Sequence, residues 1–204
     1  IMASTYLSRT PASAGNRKTW TLSGWYKFAD NSTVNTFLSA GSADADRTIL
    51  IRNGSANGDL RFLLNDGGNY VISQNYLRDL SAWYHIVFSI DTTQATASNR
   101  VKIYINGIQV TSFSTEIYPT QNTDLNINNN TLHTIGKYSY DSAGYFDGSM
   151  AHVHFIDGTA YDASAFGETD ATSGIWKPIL SPSVTYGTNG FFLKFANSAS
   201  LGTD

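Results

Sequence analysis

Val101-Lys102-Ile103-Tyr104-Ile105-Asn106-Gly107-Ile108 is the stretch that decides the fold. Val101, Ile103 and Ile105 alternate with Lys102 and Tyr104, the period of two that sends successive side chains to opposite faces of a strand. Asn106-Gly107 follows at once. A two-residue type I′ turn needs positive φ at both central positions, which Asn and Gly tolerate best. The segment predicts a β-hairpin.

Outward from that hairpin the same period recurs. Upstream, Tyr84, Ile86, Phe88 and Ile90 alternate with Trp83, His85 and Ser89. Trp20, Leu22, Tyr26 and Phe28 oppose Thr21, Ser23 and Lys27, and Leu60, Phe62 and Leu64 oppose Arg61 and Leu63. Near the end, Phe191, Leu193 and Phe195 alternate with Phe192 and Lys194. Asn53-Gly54, Asn57-Gly58, Asp66-Gly67-Gly68 and Asn189-Gly190 mark further reversals. The helical signal is limited to one turn over 162–166, with Asp162 or Ser164 as its cap. Many short antiparallel strands imply an all-β fold of two packed sheets. Residues 121–130, rich in Asn and Thr, predict an exposed loop. Residues 158–186, which hold Pro178 and Pro182, predict an irregular segment that wraps across the sandwich before the last strand. With no internal repeat and no second core, 1–204 is expected to be one domain. Ile1 ahead of Met2 and a polar stop at Asp204 read as a piece of a longer polypeptide.

Composition narrows the function classes. At 41% hydrophobic and 13% aromatic, 204 residues can bury a sizeable core, which excludes disorder for most of the chain. Thirteen Lys and Arg stand against sixteen Asp and Glu, and no basic run exceeds Arg17-Lys18. Nucleic-acid binders draw most of their affinity from phosphate neutralisation, so no nucleic-acid partner is expected. No apolar stretch has the length of a membrane span, and no membrane insertion is expected. The absence of Cys removes disulfides, thiolate catalysis and Cys-ligated zinc.

No catalytic constellation emerges. Retaining glycoside hydrolysis needs two carboxylates about 5–5.5 Å apart. Glu116 and Glu168 are the only glutamates, and Asp44-Ala45-Asp46 sits beside Gly41 and Ser42 in an apparent loop. His152 and His154 share a strand face, a spacing that chelates zinc, but a third ligand is not indicated; His85 and His133 have no sequence relation to them. No Gly-x-Ser-x-Gly and no phosphate-binding loop occurs. The chain is expected not to be an enzyme and to need no cofactor.

The order of segments resembles the laminin-G-like branch of the concanavalin A-like lectin and glucanase superfamily. The matching pieces are Thr19-Trp20-Thr21-Leu22-Ser23-Gly24-Trp25, then 83–91, then the hairpin at 101–107. Leu132 to Gly136 and Phe146-Asp147-Gly148-Ser149-Met150-Ala151-His152-Val153-His154-Phe155 complete them. The resemblance covers roughly residues 4–160 and implies an antiparallel two-sheet jelly roll. Both ends also resemble domains of tailed-bacteriophage virion proteins. The residues that carry this are Tyr6-Leu7-Ser8-Arg9-Thr10-Pro11, Phe155-Ile156-Asp157-Gly158, Phe166-Gly167-Glu168, Gly174-Ile175-Trp176-Lys177-Pro178 and Tyr186-Gly187-Thr188-Asn189-Gly190-Phe191.

That second resemblance implies a fibre, tail or head-decoration module at the particle surface, whose partners are other virion proteins and copies of itself, a trimer among the symmetric forms. The alternatives are a glycan-binding module of a secreted bacterial protein and, more remotely, a glucanase-type hydrolase. Laminin-G-like domains often hold one Ca²⁺ at a loop edge, and Asp44, Asp46, Asp66 and Asp141 sit in loops of the right kind. Asp also favours turns for its own backbone hydrogen bonds. The candidate ligand site is the loop carrying Tyr138, Tyr140, Asp141 and Tyr145, where aromatic rings suit sugar C–H groups and Asp suits hydroxyls. A host-surface glycan would be the ligand; burial of the same rings in a subunit interface is the competing use.

Overall fold

Alternating hydrophobic runs pair into strands along most of the chain. The computed structural model describes residues 5–56, 58–64, 69–197 and 199–204. Strands β1 to β5 are Leu7–Arg9, Thr19–Phe28, Val34–Ala40, Thr48–Asn53 and Asp59–Leu64. Strands β6 to β10 are Asn69–Ser73, Tyr84–Asp91, Val101–Ile105, Ile108–Gln109 and Phe113–Glu116. Strands β11 to β15 are His133–Ile135, Gly148–Asp157, Gly167–Thr169, Trp176–Pro178 and Phe191–Leu193. A seven-stranded front sheet runs β1-β11-β3-β4-β5-β6-β10, and a six-stranded back sheet runs β15-β12-β2-β7-β8-β9. Every pairing between described strands is antiparallel. This is the two-sheet jelly-roll sandwich expected.

The core lies between the sheets. Trp20, Leu22, Phe28, Ile86, Phe88, Ile103 and Phe155 come from the back sheet, and Phe37, Leu50, Leu60, Phe62 and Val71 from the front. Burying each large apolar side chain contributes about 1.5–3 kcal/mol. Tyr26 packs tilted against Phe37 with ring centroids 4.4 Å apart, and its hydroxyl is buried without a hydrogen-bond partner. Burial accordingly raises the Tyr26 pKa. Gly24 is explained by the same ring, since a Cβ there would lie 2.5 Å from the Tyr26 hydroxyl. At the deciding hairpin, Asn106 (φ 48°) and Gly107 (φ 85°) are both left-handed, as a type I′ turn requires. Asn57 and Asp66-Gly67-Gly68 lie outside the described residues.

Two loops differ from expectation. Residues 121–130 are not an exposed loop: Leu125 and Ile127 enter the core, and Asn128 is buried. Asn128 explains why. Its amide donates to Asp157 at 2.6 Å and accepts from Asn189 at 2.9 Å, and Asn16 and Asn189 backbone N–H groups also reach the Asp157 carboxylate. This buried polar clamp draws the loop against the sandwich, and alternation at Leu125 and Ile127 is masked in sequence by Asn. In the segment 158–186 the helical turn expected over 162–166 is the 3₁₀ turn Ala163–Ala165, but the rest, read as irregular, carries the two-stranded β13–β14 sheet. Asp162 caps that turn, accepting from Ser164 N–H at 2.9 Å.

Candidate functional site

The outer face of the front sheet carries the candidate site. Cross-strand register aligns Thr36, Ile51, Arg61, Ile72 and Thr115 in one row and Ser39, Ile49, Leu63 and Tyr70 in the next. Register partners share a face, so both rows point away from the core that Leu50, Phe62 and Val71 fill. Arg61, Leu63, Tyr70, Ile72 and Thr115 are half-exposed.

The tyrosine loop is fastened to this face. Ser139 Oγ lies 3.1 Å from Ser39 Oγ and donates to the Gly41 carbonyl, and Thr36 Oγ1 donates to the Gly144 carbonyl at 2.7 Å. Tyr138 and Tyr140 stack on each other at 5.5 Å and 7°. Arg47 donates to the Tyr140 hydroxyl at 2.9 Å and pairs with Asp44. Arg61 is gripped by Asp59, Nε to Oδ1 at 2.6 Å and Nη2 to Oδ2 at 3.2 Å. Asn53, with its amide oxygen turned to Arg61, accepts from Nη1 at 3.0 Å. Desolvation raises the Tyr138 and Tyr140 pKa, opposed at both by Arg47 and at Tyr138 by Arg61 as well.

Tyr138 and Tyr140 are thus brought together, but not as an open aromatic platform. Tyr138 lies between Tyr140 and Gly144, where a Cβ would meet its Cε1 at 2.7 Å. Tyr138, Tyr140, Tyr145 and Tyr70 are each half-exposed, so each leaves part of its surface open. Asp141 is exposed, its carboxylate accepting from Ser142 N–H at 2.6 Å. Arg47, Asn53, Asp59 and Arg61 went unread in the sequence. Arg61 was visible as a charge between Leu60 and Phe62, but only register places it beside the tyrosines.

The other candidates are drawn into structural roles. Ser23 Oγ and His85 Nε2 are 2.9 Å apart and buried, a Ser–His pair of the kind a nucleophile uses. The tautomer decides against that use. Trp176 Nε1–H, which can only donate, reaches His85 Nδ1 at 3.0 Å. The ring proton therefore sits on Nε2 and points at Ser23, so His85 cannot accept the serine proton. Burial pushes the His85 pKa down to about 3.

His154 is likewise lowered to about 3 by burial; it meets the Tyr186 hydroxyl at 2.8 Å and stacks on Phe192 at 3.9 Å. His152, at φ 49°, sits in a β-bulge of β12. Among the described residues no three His, Cys, Asp or Glu side chains gather as metal ligands. Asp46 accepts from Ser42 and Ala43 N–H groups at 2.9 and 2.7 Å, the turn role that competes with calcium; Asp66 lies outside the described residues. Glu116 is on the front sheet and Glu168 on the small one. Glu168 and Asp170 flank Lys177, at 3.5 and 2.9 Å. Hydrogen bonds from Ser173 and Lys177 lower the Asp170 pKa, opposite to what a general acid needs. A cavity of about 200 Å³ opens between edge strands β1 and β15, and no tyrosine-loop residue lines it.

A laminin-G-type family model, described as the concanavalin A-like lectin/glucanases superfamily, matches residues 3–164, and the chain belongs to that family. Among solved structures it is similar to a heptameric SAP-like pentraxin from Limulus polyphemus, at 16% identity and a TM-score of 0.52 over 76% of this chain and 70% of that one. Mouse laminin α1 domains LG4-5 match at 15% identity and a TM-score of 0.52, over 79% of this chain and 44% of that chain. Domain 4 of AbnA, an extracellular arabinanase from Geobacillus stearothermophilus solved with arabinotriose, matches at 16% identity and a TM-score of 0.53, over 77% of each chain. At these identities the likeness is one of fold. No curated protein sequence matches the chain.

Proposed function

We propose that the chain is a non-catalytic glycan-binding module whose ligand lies on the front face against Tyr140, Asp141 and Tyr145. One observation carries this reading: the front face stays half-exposed at Arg61, Leu63, Tyr70 and Ile72 beside a fastened pair of stacked tyrosines. A loop pinned at both Ser139 and Gly144 presents rings and hydroxyls with little ordering left to do on binding. AbnA domain 4, solved with arabinotriose, gives the reading further support by its fold. A glycan array probed with the wild type and Tyr140→Ala tests it. The wild type should bind and the variant should lose about two- to tenfold in affinity, the scale of a lost aromatic contact. An unchanged array pattern for a folded Tyr140→Ala would remove the site.

Catalysis is tested on the same glycans: no reducing sugar should be released. Turnover abolished by Glu116→Gln or Glu168→Gln would overturn the non-catalytic reading. We further propose that the module is displayed on a virion surface or appendage as a homo-oligomer, a reading that rests on the resemblance of both chain ends to tailed-phage proteins. Antibody labelling of purified particles tests it. A protein found free and monomeric would instead favour a secreted bacterial module.

A further inference from the structure

We infer that the ligand of the front face is an uncharged, hydroxyl-rich glycan and not an acidic one; this rests on the glycan-binding reading and names its ligand class. The carboxylates beside the tyrosines carry the argument. Three cations flank the loop, Arg47, Arg61 and Lys137, and each has a partner, although Arg47 Nε is buried without one. Arg47 pairs with Asp44, and the two differ in access: the arginine side chain is 17% exposed and the carboxylate 50%. Arg61 is held side-on, through Nε and Nη2, by both oxygens of Asp59, which is itself 7% exposed. Lys137 Nζ reaches the Asp141 carbonyl at 3.4 Å and lies 4.6 Å from the centre of the Tyr6 ring.

What an arriving ligand meets first is therefore acceptor oxygen. Asp44 and Asp141 are the exposed charges at the loop rim. A sugar hydroxyl donates to such a carboxylate in a charge-assisted bond, shorter and stronger than a neutral one. The carboxylate of a uronate or sialate, unlike a hydroxyl, has no proton to give there. Its negative charge would face Asp44 and Asp141, and reaching Arg47 or Arg61 would leave Asp44 or Asp59 unpaired. For Asp59 that means a buried, uncompensated charge. Fixed guanidinium–carboxylate pairs, with the phenol hydroxyls of Tyr138 and Tyr140 beside them, offer donors and acceptors in the mixture that vicinal diols need.

The experiment is calorimetric titration of the whole chain with two panels: neutral oligosaccharides of glucan, xylan, mannan, galactan and arabinan, and acidic alginate, polygalacturonate, chondroitin sulfate and sialyllactose. Each is measured at about 50 mM and about 500 mM NaCl, where screening of exposed charges differs severalfold. The expected result is binding from the neutral panel that changes less than about twofold with salt. Asp141→Asn and Asp44→Asn should each weaken it by about threefold or more. Thermal unfolding verifies that each variant folds, and the wild-type salt series decides alone should Asp44→Asn fail to. Binding from the acidic panel that falls about tenfold or more with salt overturns this inference and leaves the glycan reading standing. Neutral binding indifferent to both aspartate changes overturns it too. Binding from neither panel, or binding that Tyr140→Ala leaves intact, removes the glycan reading and this inference with it.

Discussion

The outer faces of the two sheets meet very different surroundings. On the back sheet, residues 159–186 lie across the strands: Val87, Tyr104, Ile156, Ala163 and Phe166 form a second hydrophobic cluster with Tyr161, Trp176, Val184 and Tyr186 against it. Polar residues that alternation assigns to solvent, Thr21, Ser23 and His85, are fully buried there, and each has a partner. Thr21 donates to the Thr159 carbonyl at 2.8 Å, and Ser23 and His85 pair with each other under Trp176. On the front sheet, among the described residues, the short loop from Lys137 to Tyr145 is fastened across one corner, and Arg61, Leu63, Tyr70 and Ile72 stay half-exposed. Equal strand patterns thus end as a covered face and a half-exposed face, the second being the proposed ligand surface. Changes to the back face should cost stability and spare the ligand; changes to the front face should do the reverse.

The largest effect is expected at the hairpin under Trp176. Asn106→Ala with Gly107→Val forces two residues into left-handed backbone, and a Cβ at Gly107 would lie 2.7 Å from the Trp176 ring. Strain and overpacking together should cost on the order of 4 kcal/mol in urea unfolding. An unchanged midpoint would dissolve the link between hairpin and covering segment.

Acid should act on the same face. His85 and His154 have folded pKa values near 3, below the ordinary 6.5 that they regain on unfolding. Between those values the unfolded chain binds more protons, so stability is complete above about pH 6.5 and declines as pH falls toward 3. Wild-type unfolding at stepped pH measures this. A flat profile across that window would mean that the covering segment does not bury these rings.

A smaller loss is expected for Trp176→Phe, which keeps the ring but leaves His85 Nδ1 without its donor. About 1–3 kcal/mol should be lost, with glycan affinity unaltered. Affinity falling in step with stability would show that the two faces are coupled. Least of all, Tyr140→Ala should change stability by about 1 kcal/mol or less while lowering glycan affinity. A Tyr140 variant that unfolds readily would make the loop part of the scaffold.

Much of the scaffold was legible along the chain because alternation and turn chemistry are local. Asn106-Gly107 needs no distant partner to adopt positive φ, and Asp162 caps its own turn through Ser164. The tyrosine loop was legible as composition, but not its geometry: that Tyr138 is flanked by Gly144 and Tyr140 depends on a loop return eight residues long. Leu125 and Ile127 were missed because Asn-rich sequence signals exposure, and Asn128 is buried by bonds to residues 29 and 61 positions away.

By itself the sequence determined the strands, the deciding turn and the inward set of side chains, since each follows from period two and from backbone preferences within a few residues. Only the tertiary structure decided which outward set is covered. Ser23, His85 and Trp176 meet across 153 positions, the separation of Ser23 from Trp176, and Arg61 reaches the tyrosines through the pairing of β3, β4 and β5. A strand's pattern states that it has two faces. What lies against each is fixed by register and by the path of distant segments, and neither is written in the strand.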